Sequence, residues 1–548
     1  MVKITPEEKK WIFYFAISIV IITTIPYFIA FQTAVNSSQN GSGWKFSGFL
    51  FGIEDGNSYI AKMRLGYIGN WLFRSPYTDM NQSGFLAFFP YLLLGKLVGK
   101  PALHEQLLVL FHLFRVISDF VVILATYQLI SIFISSIYWR RIGLVIATVG
   151  GGLGWLSLIY NPAVLPLEFY SPESFGFLEI YGLPHLSLGR ALMFWALITY
   201  LELWIRQDHQ SRSFLKLSLL WFCAGLAQPL LIGLIGLIIG LHWLVGCIVE
   251  KFHFQDNSPF HNYRLVFPRI LAASLLPALF LIYNIIKFSS DPYLAYWNRQ
   301  NYLPSPQARV YLLSYGFFLP FAIYGGIKVW QKDSLKGGLL IPWLIVAPFL
   351  IYMPVGVQRR MIEGAWIALI ILVTYGFTHI IGKYSPRYWR VWVSIGLGFT
   401  MVSSLILLVG GIKLAIKPSL PVFLPNSMVT MMETLDNISG TGNPVVLAAY
   451  ETSNALPAYA NVRVIIGHGP ESAGGEITKK KAEAIYQSSI SDGERLQFLK
   501  NHQVRFVVWG ELERKLGNWN PASANYLKKI SQSGDYFIYE VEETQPRY

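Results

Sequence analysis

The chain has 548 residues, of which 53% are hydrophobic, 16% aromatic and only 14% charged, and its mean hydropathy is +0.42. Soluble domains carry roughly 25% charged residues, so this deficit, with long apolar runs, excludes an ordinary soluble protein and points to an α-helical polytopic membrane protein. The net charge of +13 does not point to nucleic acid, because the basic residues are strewn along hinges between apolar runs, as in positive-inside topology.

Trp11 to Phe31 is an apolar run of bilayer-spanning length. It is too long for a signal-peptide core and no small-residue cleavage site follows, so it reads as an uncleaved first helix with its N-terminus in the cytoplasm. Further spans fall near 109–136, 142–160, 185–205, 213–227, 229–249, 268–287, 309–331, 338–355, 361–382 and 391–415, about eleven in all by hydropathy. The basic clusters Arg140-Arg141, Arg206 with Arg212 and Lys216, Lys251, Lys328 with Lys332 and Lys336, and Lys383 with Arg387 and Arg390 all fall inside if 84–98 is an interfacial or re-entrant helix and not a full span. That topology puts residues 32–108, 161–184, 288–308, 356–360 and the whole C-terminus on the outer face.

The first outer loop carries Glu54-Asp55-Gly56-Asn57-Ser58-Tyr59, two acids beside a membrane surface. Asn57 to Tyr67 reads as a short helix with Ile60, Met63 and Tyr67 on one face, ended by Gly66 and Gly69, and Asp55 or Asn57 is placed to cap it. Neighbouring helical residues do not face each other. One acid therefore points toward a site and the other toward solvent or the helix end, and Asp55 is the stronger candidate.

Arg115 and Asp119 are spaced to form an ion pair within the second span. Gly150-Gly151-Gly152-Leu153-Gly154 lacks the Lys-Ser/Thr of a phosphate loop, and its glycines suit close helix packing. Pro184 opens a helix at its first turn. The next residue, His185, is either an interfacial histidine or a phosphate or sugar contact. Gln228-Pro229 splits a long apolar run in two. Cys223 and Cys247 lie in apolar runs and form neither a disulfide framework nor a metal spacing. Gln358-Arg359-Arg360 stands on the outer face against the positive-inside bias. Guanidinium forks bind phosphate, so this pair suits a lipid phosphate; with a miscounted span it would be a plain cytoplasmic anchor.

After Lys417-Pro418 the composition turns soluble. Strands are expected at 445–449, 462–466, 505–509 and 536–541, and helices at 427–438, 477–489 and 492–501, which makes a small α/β domain. Glu451-Thr452-Ser453-Asn454, Gly467-His468-Gly469 and Trp509-Gly510-Glu511 follow strand ends, where such sheets bind ligands. Acceptor or glycan binding and simple packing are both open for this domain. The expected organisation is thus a multi-pass transmembrane domain over 1–416, with outer loops 32–108 and 161–184, and an extracytoplasmic α/β domain over 417–548.

Glu54-Asp55-x-x-Ser58-Tyr59, Gly69-x-Trp71, Pro184-His185 and Gln358-Arg359-Arg360, in this order of spans, resemble the GT-C superfamily of polyprenyl-phosphate-sugar glycosyltransferases. That superfamily includes protein O-mannosyltransferases, aminoarabinose transferases and oligosaccharyltransferases. The likeness runs over roughly residues 10–415, and the Pro-Pro-rich signature common after the first loop in many relatives is missing. The resemblance implies a sugar moved from a polyprenyl-phosphate donor to an acceptor hydroxyl, the acceptor being protein, lipid or cell-envelope glycan. Asp55 is the implied base, and Arg359 and Arg360 the holders of the lipid phosphate. Tyr59, Gln358 and His185 are further substrate contacts, and Glu54 a secondary catalytic candidate. His185 and Glu54 are also candidates for orientation or for a divalent cation, Mg or Mn; no nucleotide and no nucleic acid is called for. The setting is a bacterial-type plasma membrane. The rival readings are a transporter or flippase of a lipid-linked glycan, and an inactive scaffold. A transporter calls for inverted repeats and charges near mid-membrane, and the sequence has no internal repeat.

Overall fold

Backbone polar groups in a bilayer must be satisfied within the chain, so apolar runs of this length can only become helices. The computed structural model describes residues 4–39, 43–205, 211–252, 263–381 and 386–542. Among these, seven helices are long and apolar enough to cross a membrane: Pro6–Gln39 (α1), Leu103–Phe133, Pro184–Trp204, Leu230–Lys251, Val266–Ser290, Gln358–Ile380 and Val391–Ile416. Two bent pairs, Ile137–Val149 with Gly154–Tyr160 and Ala308–Tyr315 with Leu319–Lys332, raise the number to nine if each is one span. All the expected spans fall on helices, but the remaining two, Ser213–Ala227 and Ser334–Leu350, are shorter apolar helices. Among the described residues, seven to nine helices thus have full spanning length and apolarity, and the two shorter apolar helices stand at the other two of the roughly eleven expected spans. Glycine and proline break or shorten the other segments. Gln228-Pro229 separates two helices as expected.

The chain folds as two compact units. The first comprises Met1–Thr24, Leu113–Ile285 and Leu303–Gly410. Its apolar core is built from the span helices, and its buried charges meet in pairs and triads. Arg115 lies 3.6 Å from Asp119 along one helix, as their spacing predicts. Glu8 takes Arg140 at 2.6 Å and the Tyr127 hydroxyl at 2.6 Å. Arg190 joins Glu179, 2.6 Å away, to Glu363. At Gly152 a Cβ would lie 2.0 Å from the Ser314 carbonyl oxygen, so close backbone packing accounts for glycine there. Segments expected on the outer face come together within this unit: Leu303 N–H donates to Gly356 O at 2.7 Å, and Arg360 lies 3.1 Å from Glu173.

The second unit comprises Ile25–His112, Ile286–Tyr302 and Gly411–Tyr548, so the first outer loop and the C-terminal domain share it. Strand β1 (Trp44–Phe46) pairs antiparallel with β2 (Phe423–Pro425). The C-terminal strands are β3 (Val445–Leu447), β4 (Arg463–Val464), β5 (Val504–Trp509), β6 (Leu527–Ser533) and β7 (Tyr536–Val541), which form a sheet in the order β4-β3-β5-β7-β6. β4, β3 and β5 run parallel, and β7 and β6 close the sheet antiparallel. The expected strands are all present, with β6 and the helices Tyr450–Tyr459 and Glu511–Leu516 added. Segment 25–112 meets 286–302 through polar and aromatic contacts: Ser83 gives its N–H and hydroxyl to Asp291 at 2.9 and 2.7 Å, and Phe73, Phe85 and Phe88 pack on Trp297.

Helix α2 (Ile53–Tyr67) begins before the expected Asn57. Its N-cap is Gly52 in the left-handed region, with no side-chain cap. Neither Asp55 nor Asn57 caps it; Glu54 and Asp55 lie inside the first turn. The segment 84–98 contains only the seven-residue helix α3 (Phe89–Gly95), about 10 Å long at 1.5 Å per residue and too short to span. Helices α2 and α3 touch backbone to backbone, since a Cβ at Gly95 would lie 1.7 Å from the Met63 carbonyl oxygen. Gly95→Val therefore forces these helices apart. A stability loss of about 1–3 kcal/mol or more is expected, read as a lower unfolding midpoint of the full chain in detergent; an unchanged midpoint would contradict this packing.

Candidate active site

The first turn of α2 carries unsatisfied N–H groups and the positive end of the helix dipole, which favour acids there. Facing it are segments that follow the carboxyl ends of β3 and β4, the edge where parallel sheets present ligand-binding loops. Glu54 is held on its inner side: one oxygen accepts from the Gly469 N–H at 2.6 Å and from the Tyr450 hydroxyl. Burial and the Glu54 carboxylate push the Tyr450 phenol up from its ordinary range, so it stays a donor. Asn454 ties the same place, giving its amide N–H to Glu54 O at 3.2 Å and Gly467 O at 2.8 Å, and accepting from Asn57 at 2.8 Å.

Asp55 faces differently. Its Oδ1 lies 3.1 Å from His468 Nε2, and its side chain is 57% exposed against 9% for the histidine. Behind the ring, Nδ1 is 3.6 Å from Glu471 Oε1. Glu471 is buried and takes Lys62 Nζ at 2.5 Å, the Ser58 hydroxyl at 2.9 Å and, on its other oxygen, the Ser75 hydroxyl at 2.9 Å. Burial opposes charge on both inner groups, and the neighbours win. The carboxylates of Glu471 and Asp55 hold His468 above the usual imidazole range. Lys62 first, then His468, holds Glu471 below the usual carboxylate range. The arrangement is an accessible carboxylate backed by an imidazole, with a buried ion pair behind it. Chemically it can accept a proton from a hydroxyl at Asp55.

The expected site residues fall into two groups. Glu54 and Asp55 stand with His468 in the second unit. Tyr59 is there too, but it is turned inward, stacked on Tyr91 at 4.7 Å, and packs instead of lining the accessible face. In the first unit, Gln358, Arg359 and Arg360 share the turn Gln358–Ile362. Gln358 Oε1 accepts from the Ser305 N–H at 3.2 Å, Arg359 lies over the Tyr170 ring at 5.1 Å, and Arg360 reaches Glu173. Ile362 of that turn lines an apolar cavity of about 900 Å³, with Tyr311, Trp330, Leu344, Tyr352 and Trp366 among its walls. His185 is half-buried in the first turn of its helix, also in the first unit.

Among the described residues no group of three or more His, Cys, Asp or Glu could hold a metal ion. One oxygen of Glu54 is engaged by both Gly469 and Tyr450. Sequence reasoning passed over Lys62, Ser75, Tyr450 and Glu471. The available signal was a lysine among the inward positions of α2, one turn from Ser58, which calls for a buried partner.

No family model and no curated protein matches the sequence. Solved structures do match the fold. The oligosaccharyltransferase AglB from Archaeoglobus fulgidus, in complex with an inhibitory peptide and a dolichol-phosphate, aligns over 97% of this chain and 75% of its own, at a TM-score of 0.51 and 11% identity. ArnT from Cupriavidus metallidurans in the apo state aligns over 95% and 97%, at 0.51 and 12%. The arabinofuranosyltransferase AftD from Mycobacteria aligns over 96% of this chain but 42% of its own, at 0.52 and 12%. These are GT-C glycosyltransferases, and the chain has the GT-C fold: a multi-span helical membrane protein with a C-terminal α/β domain.

Lys62→Met leaves the Glu471 carboxylate buried without its cation, at an expected cost of about 3–5 kcal/mol. Adding Glu471→Gln should recover most of it, as a double-mutant cycle on unfolding midpoints would read. Because Glu471 is held low, its contribution is full above about pH 4.3 and fades as pH falls through its folded value. Equal midpoints for wild type and Lys62→Met would contradict the pairing.

Proposed function

We propose that the protein is a membrane glycosyltransferase that moves a sugar from a polyprenyl phosphate to an acceptor hydroxyl at the outer face of the membrane. The observation that carries this reading is Asp55: an exposed carboxylate at the start of a helix, backed by His468, in a chain of GT-C fold. Asp55 takes the acceptor proton as general base. As it does, the acceptor oxygen bonds to the anomeric carbon, the bond from that carbon to the phosphate oxygen breaks, and the electron pair leaves on the lipid phosphate.

Arg359 and Arg360 are assigned to that phosphate, whose charge grows in the transition state, and Gln358 to holding their turn. The apolar cavity walled in part by the same turn suits an isoprenoid chain. AglB with dolichol-phosphate and ArnT from Cupriavidus metallidurans with undecaprenyl phosphate support a donor of this class. The acceptor belongs to protein, lipid or cell-envelope glycan. In this reading the N-terminus is cytoplasmic and the C-terminal domain extracytoplasmic.

The test is release of polyprenyl phosphate from a panel of polyprenyl-phosphate sugars by the purified full chain, with an acceptor extract. Asp55→Asn, with its unfolding midpoint unchanged, should lower release by about 10²–10⁴-fold, and Arg359→Ala with Arg360→Ala by about 10²–10³-fold. Equal release by wild type and Asp55→Asn would remove Asp55 as base. Lipid binding without turnover in either would give the site to a transporter.

A further inference from the structure

We propose that His468, supplied by the C-terminal domain, is a positioning residue for the transfer: it carries a positive charge between Asp55 and Glu471 and orients the Asp55 carboxylate for the acceptor. This rests on the transferase reading and deepens it, because it makes the C-terminal domain part of the reaction site.

The geometry leaves the imidazole little freedom. Its backbone is pinned by Ser472, whose hydroxyl oxygen accepts from the Gly467 and His468 N–H groups at 3.0 and 3.1 Å. The Tyr77 ring packs against it at 5.4 Å. The groups facing it are Asp55 and Lys62 from α2, Glu471 from its own loop, and Tyr77 from the segment after α2. With the ring protonated, Lys62 and His468 balance Glu471 and Asp55. With it neutral, two carboxylates share one ammonium. Burial alone works against the ring's charge, yet the two acids hold the imidazole above its usual range.

A cationic His468 donates Nε2–H to Asp55 Oδ1 and so holds the carboxylate in place. The acceptor proton goes to the Asp55 carboxylate and then to water, since Asp55 is exposed; the histidine keeps its own proton throughout. His468 thus acts through Asp55 and touches no reacting atom.

Two variants separate its effects in the polyprenyl-phosphate release assay. His468→Ala removes donor and charge; His468→Gln keeps a donor. Turnover should fall about 10- to 100-fold in His468→Ala, with the donor KM unchanged, and recover in part in His468→Gln. In both, the acid limb of the kcat/KM profile should move to higher pH, because a carboxylate without a neighbouring cation takes up a proton more readily. An independent reading is histidine NMR of the full chain in detergent. Of the ten histidines, the signal lost in His468→Gln should titrate at lower pH in Asp55→Asn than in wild type. Wild-type turnover with an unmoved acid limb and an unmoved His468 titration would overturn the proposal while leaving the transferase standing. A wild type with no turnover on any donor overturns the transferase reading, and the role of His468 with it.

Discussion

The buried contact between Lys62 and Glu471 is the constraint on which the site depends. An ammonium and a carboxylate taken out of water cost several kcal/mol each unless they meet with good geometry and spare hydrogen bonds. Here Ser58 and Ser75 supply those bonds. The pair joins α2 to the loop after β4, and that junction sets where His468 and Gly469 stand. From it follow the latch on Glu54 and the imidazole beside Asp55. The two acids are neighbours in sequence with different settings: Glu54 holds the loop through Gly469 and Tyr450, and Asp55 is exposed beside the imidazole.

The first unit answers a different demand. Among its described residues, buried charges meet in company, as in the triad of Arg190, Glu179 and Glu363. Charges satisfied this way rigidify a helix bundle. The turn of Gln358, Arg359 and Arg360 is braced by Ser305, Tyr170 and Glu173 and continues into the wall of the apolar cavity. Guanidinium groups and an apolar chamber thus share one structural piece.

Much of this was legible in the sequence. Hydropathy located every span segment, because apolar runs have one solution in a bilayer. It does not see helix length or bends: Ser213–Ala227 and Ser334–Leu350 are shorter apolar helices, and the segment through Gly150 to Gly152 is a bent pair. The α/β alternation after Pro418 revealed the C-terminal domain, and the Gly467-His468-Gly469 loop was placed at a strand end. Asp55 stood out as an acid beside a membrane surface. What stayed hidden was the partnership of His468 with Asp55, a contact over several hundred residues that no local period encodes. Glu471 was hidden for the same reason: it looks like a solvated charge until Lys62 is brought to it. Tyr59 misled in the opposite direction, since an aromatic beside two acids is as well suited to a stack on Tyr91 as to a sugar.

The stereochemistry of transfer tests the central claim most directly. A base-assisted single displacement at the anomeric carbon inverts its configuration, whereas an enzyme-bound sugar intermediate retains it. With a polyprenyl-phosphate sugar of known anomeric form and an acceptor that is turned over, proton NMR of the product should show the inverted linkage. Retention would mean that a side chain attacks the sugar first, and would contradict Asp55 as the base of a direct transfer.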